Sequence, residues 1–63
     1  MNKVTLDEYL QFIKDFDNGV YPNQRMGQAF MNKFDVKLDT QLFYMQKRKE
    51  TLILICDKYV KQD

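Results

Sequence analysis

The sequence predicts a small, mainly α domain in which three helices share one core, with residues 42–45 open to either a short extended piece or a helical turn. Three observations predict it. Apolar residues recur at three- and four-residue spacing in separate stretches, as one face of a helix requires. Capping and turn residues punctuate those stretches. Two Gly and one Pro among 63 residues, with five Phe and four Tyr, argue against disorder. A chain of this length holds one domain.

The first helix occupies residues 4–16. Thr5 is placed to cap it, and Glu8 three residues on completes a capping box. Val4 and Tyr9 hold the positions of a hydrophobic staple, and Asp7 and Glu8 complement the N-terminal dipole. Leu6, Leu10 and Ile13 form an apolar stripe that Tyr9, Phe12 and Phe16 widen. Asn18-Gly19 ends the helix, with Gly19 suited to a left-handed cap.

Val20-Tyr21-Pro22-Asn23 links to the central helix, Gln24 to Phe34, with Asn23 as its expected N-cap. Met26, Phe30 and Phe34 make its apolar row. Gly27 costs about 1 kcal/mol there relative to Ala, so its presence implies that a neighbour packs closely on its α-carbon. Arg25, Gln28, Asn32 and Lys33 lie off the row, as a solvated face or a polar recognition surface.

Residues 35–40 connect, ending in a cap signal at Asp39. Leu42-Phe43-Tyr44-Met45 is an apolar run too short for periodicity to separate strand from helix. The terminal helix runs from Lys47 to Lys61. Its face of Leu52, Ile55, Cys56 and Tyr59 is widened by Ile53 and Val60, so it is expected to be deeply buried or turned to a partner. The expected core is Leu10, Ile13, Phe30, Phe34, Leu52 and Cys56, with Leu42–Tyr44 as a plug.

Composition excludes several chemistries. The absence of histidine removes His general bases and Ser-His or Cys-His pairs. One cysteine, Cys56, makes neither an internal disulfide nor a tetrahedral zinc site, and a buried, inert thiol is expected. The two glycines are isolated, so no phosphate-binding loop is formed. The carboxylates are scattered, and a chain this short struggles to build a pocket of about 300 Å3. No enzymatic activity, cofactor or metal is expected. A formal charge of +1 supplies no broad attraction for nucleic acid. The longest apolar run, Leu52 to Cys56, is far short of a membrane span, and Met1 to Thr5 lacks a signal-peptide core. The expected location is the cytoplasm.

The central stretch Arg25-x-Gly27-Gln28-Ala29-Phe30-x-Asn32-x-Phe34 resembles a motif of very small uncharacterised proteins of bacteriophages and mobile elements. A Leu42-Phe43-Tyr44 triplet and a terminal Tyr59-Val60 extend the likeness over roughly residues 6–60. The resemblance implies a phage-type accessory protein in the cytoplasm of a bacterial or infected host cell. It also implies that Arg25, Gln28 and Asn32 either serve function or lock the central helix to Leu42–Tyr44.

The leading expectation is therefore a protein-binding module that meets a protein partner or a second copy of itself. Its candidate contacts are Arg25, Gln28, Asn32, Tyr44, Met45 and Tyr59, since the aromatics, Met residues and apolar face of 52–60 exceed what three short helices can cover. The alternative is a small nucleic-acid-binding regulator using Lys47, Arg48 and Lys49. The near-neutral total charge makes those three better suited to a solvated helix start.

Overall fold

The computed structural model describes residues 4–61. Four helices follow in order: α1 (Leu6–Asp17), α2 (Met26–Phe34), α3 (Thr40–Tyr44) and α4 (Arg48–Tyr59). The domain is mainly α, as the periodicity predicts. Leu42–Tyr44 belong to a single helical turn, which makes α3 a fourth element. Met45 then leaves it with extended backbone. Helix α2 lies at the centre and packs against each of the other three. No Cα of α1 comes within 8 Å of one in α4. The Cα radius of gyration, 10.6 Å, is that of a tightly folded chain of this length, for which about 2.2·N^0.38 Å is expected.

Local signals set the helix ends. The capping box forms: Glu8 N–H donates to the Thr5 hydroxyl at 3.1 Å, and Thr5 N–H donates to the Glu8 carboxylate at 3.0 Å. Gly19 ends α1 at φ +82°. Its N–H reaches the Phe16 carbonyl and the Val20 N–H that of Asp15, which is a Schellman closure.

Helix α2 starts later than expected, and Asn23 is not its N-cap. Asn23 follows Pro22 and adopts φ +68°, the pairing a type II turn favours, whereas an N-cap needs extended backbone. Arg25 takes the N-cap position without a side-chain hydrogen bond. Asp35 closes α2 in the left-handed region at φ 53° and ψ 46°. Helix α4 is shorter than expected at both ends. Lys47 is its N-cap, and Val60 leaves it to pair in parallel with Val4. Val4 N–H donates to the Tyr59 carbonyl and Lys61 N–H to the Val4 carbonyl, both at 2.8 Å.

Phe12, Ala29, Phe30, Leu42 and Ile55 are all but sealed from solvent. The Phe12 ring meets Tyr21 and Phe30 at 5.5 Å and Phe34 at 6.1 Å, and Phe30 continues to Tyr59 at 5.5 Å. Leu10, expected in the core, is 52% exposed. The reason is geometric: Leu10 lies about 200° around α1 from Phe12, and the larger ring takes the inside. Ile13, Phe34, Leu52 and Cys56 pack against the core but are only partly buried.

Gly27 does what its position implies. A Cβ there would collide with the Leu42 carbonyl oxygen and lie 3.1 Å from both its carbonyl carbon and its Cγ. Gly27→Ala should therefore destabilise the domain by about 1–3 kcal/mol, although helix propensity alone favours Ala by about 1. Phe30→Ala should cost about 3–5 kcal/mol, comparable to the whole stability of a domain this small. Asp35→Gly should instead raise the melting temperature, by up to about 1 kcal/mol of stability, because Gly carries no Cβ into the left-handed cap. Chemical denaturation of the three variants beside wild type checks all three signs.

Candidate functional site

The most connected polar side chain belongs to Asp39, the N-cap of α3. One carboxylate oxygen accepts the Leu42 N–H at 3.2 Å. The other accepts the Tyr59 hydroxyl at 2.9 Å and the Lys58 ammonium at 3.0 Å. Burial by itself would raise the Asp39 carboxyl. The bonds from Lys58, Leu42 and Tyr59, with the Lys58 charge, outweigh it and hold the group below its ordinary value. Tyr59 moves the other way, raised by burial and then by donating to Asp39. Its hydroxyl thus stays a donor, and the group clamps α3 to the end of α4.

Two recesses flank this framework. A groove of about 760 Å3 is lined by residues 35–40 and Tyr59. It exceeds what a chain of this length is expected to build, because one connecting segment and one ring form it as an open furrow. The second recess, about 190 Å3, lies between the starts of α2 and α4 and is lined by Arg25, Met26, Met45, Gln46 and Arg48 among others. Arg48 is not idle there: its guanidinium grips Asp17 with two bonds of 2.7 and 3.0 Å. Among the described residues, no three Cys, Asp or Glu side chains converge as a metal site would require. No helix is long and apolar enough to cross a membrane.

Of the contacts expected from sequence, Arg25 and Met45 are brought together in the smaller recess. Gln28 is half-buried on α2, and Asn32 is exposed. Neither they nor Arg25 donates a side-chain hydrogen bond to α3. The lock on Leu42–Tyr44 is Gly27 instead. Tyr44 is 66% exposed, its ring edge-on to Phe43 at 5.0 Å. Tyr59 is not on the surface: it is 9% exposed, with its hydroxyl committed to Asp39.

A different surface stands out. Leu6, Leu10 and Ile53 are each more than half exposed. Helices α1 and α4 run antiparallel, tied by Val4 and Val60 at one end and by Asp17 and Arg48 at the other. Between them the Tyr9 hydroxyl donates to the Leu52 carbonyl at 3.0 Å. At about 100° per residue, Leu6, Leu10 and Ile13 turn to the same side of α1 as Tyr9. Cys56 and then Ile53 follow Leu52 around α4 in the same sense. The two helices thus frame an apolar seam with Leu6 and Leu10 on one rim and Ile53 on the other. The signal was available as a double row on α1: Leu6-Leu10-Ile13 and Tyr9-Phe12-Phe16 cannot both face one core.

No protein-family model, curated protein or solved structure matches the chain.

The Asp39 clamp has a pH signature. Its folded-state carboxyl lies below the unfolded value of about 4, so its stabilisation is complete above that value and is lost as pH falls through the folded one. Asp39→Ala should cost about 1–3 kcal/mol at pH 7, from the lost cap and an unpaired Tyr59 hydroxyl. The gap between variant and wild type should narrow as pH falls through the acidic range below 4, which urea titrations at stepped pH would read directly.

Proposed function

We propose that the chain is a non-enzymatic protein-binding module, a phage-type accessory protein or a modulator of a host protein. The observation that carries this reading is the apolar seam rimmed by Leu6, Leu10 and Ile53. Helix rotation turns all three to one side of the α1–α4 pair, and large aliphatic side chains held half in water on one side are characteristic of a docking surface. The carboxylates lend weight to a non-catalytic role: Asp39 and Asp17 are both occupied in ties between elements.

The second reading, a small nucleic-acid-binding regulator, has one observation in its favour. Arg25 and Arg48 line the same recess. The Asp17 carboxylate offsets Arg48, and α3, where a recognition helix would follow α2, is a single turn that buries Leu42.

The readings part in two measurements. With wild type immobilised in a lysate of the organism that carries the gene, a specific protein should be retained. Leu10→Asp with Ile53→Asp should lose it while keeping the helical circular dichroism of wild type, since both sites are half exposed. Submicromolar binding of mixed-sequence DNA or RNA at physiological salt is not expected. If found, with a logarithmic salt slope near −0.9 per duplex phosphate contact and abolished when Lys47, Arg48 and Lys49 become Gln, it would promote the second reading.

A further inference from the structure

The same seam carries information about what covers it, and the inference rests on reading that seam as protein-binding. Ile53 sits at the middle of a ridge on α4 with Lys49 four residues before it and Asp57 four residues after. Both flanking residues are exposed. Neither takes part in the two ion pairs of the described residues, Arg48–Asp17 and Lys58–Asp39. Residues at i, i+4 and i+8 form one of the ridges by which helices interlock. This ridge reads plus, apolar, minus. Its complement is a ridge that reads minus, apolar, plus in the same direction, and that is the same ridge reversed.

We propose that the seam is where a second copy of the chain docks, with the two α4 helices crossing antiparallel about a two-fold axis at Ile53. Lys49 of each copy then meets Asp57 of the other, and Ile53 meets its own equivalent. A two-fold contact repeats every interaction, so one exposed ion-pair geometry is used twice. A parallel crossing would set Lys49 against Lys49 and is excluded by the same charges. Leu6 and Leu10 lie on the opposite rim and extend the covered area across α1. The three half-exposed aliphatics offer roughly 300 Å2 of apolar surface, and two 12-residue helices presented side by side would bury about 500–800 Å2 per copy, the lower end of a stable interface. With only three aliphatic anchors and exposed ion pairs, such a contact is expected to be weak, on the order of micromolar.

Sedimentation equilibrium from about 1 μM to 1 mM tests the proposal. Wild type should pass from monomer to dimer across that range. Lys49→Asp alone and Asp57→Lys alone should each weaken the dimer at least ~10-fold, and the double exchange should return it to within ~3-fold of wild type, because the reversed ridge is again self-complementary. Neither exchange threatens the helix: an acid near the N-terminus and a base near the C-terminus both suit its dipole. Ile53→Asp should abolish the dimer and keep the circular dichroism of wild type. A monomer throughout the range, or a dimer that single reversals leave as tight as before, would overturn the second-copy assignment. In those cases the seam's protein-binding role stands if wild type retains a lysate protein that Ile53→Asp loses. It falls as well if nothing is retained.

Discussion

The approach of the Leu42 backbone to the α-carbon of Gly27 sets the spacing on which the rest of the molecule depends. Any larger residue at position 27 would push α3 away from α2. Leu42, wholly buried, would lose its seat. Asp39 would move with it, because it caps the same short helix. Its bonds to Lys58 and Tyr59 are what fasten that helix to α4. A five-residue helix has no standing of its own, since one turn does not repay the cost of nucleating it. It persists here because a missing side chain on α2 seats one face and its own capping carboxylate, gripped by Lys58 and Tyr59 of α4, fastens the other.

Aromatic rings dominate what lies inside. Phe12, Phe30, Phe34 and Tyr59 form a continuous chain of contacts through the centre. Large rings fill a small interior with few side chains and leave no place for a second row from α1. Leu6 and Leu10 of that helix's aliphatic row are therefore displaced to the outside, while Ile13 still packs on the core. The interior and the candidate docking surface are two results of one packing choice.

Much of the fold can be read from short-range chemistry. Thr5 and Glu8 announce the start of α1 and Asn18-Gly19 its end, because each is decided by residues a few positions apart; Gly27 announces a close approach because a Gly inside a helix is costly without one. The readings that go astray depend on two local signals in competition or on residues far apart. Asn23 reads as a cap until Pro22 commits it to a left-handed turn. Val60 continues a helical pattern until Val4, at the other end of the chain, draws it into a bridge. Tyr59 reads as a surface contact because nothing in its neighbourhood announces Asp39. Leu10 and Phe12 compete for the same interior, and spacing does not say which wins. The surface that Leu10 and Ile53 frame is only half legible for that reason: Leu10 reads as core, while Ile53 belongs to an α4 face that the sequence leaves either buried or turned to a partner.

The bridge between Val4 and Val60 has a consequence for how the protein is made. Residues at opposite ends of the chain exchange backbone hydrogen bonds and are both nearly sealed from water. The fold is therefore closed only once residues 48–61 have been synthesised. While the ribosome still holds residues 48–61, α1, α2 and α3 have no α4 to pack against, and the apolar faces of Tyr9, Phe30 and Leu42 are unprotected. Making that segment takes on the order of a second, since synthesis proceeds at about 5–20 residues per second. The domain therefore stays open until residues 48–61 are available, and the bridge between Val4 and Val60 is what completes it.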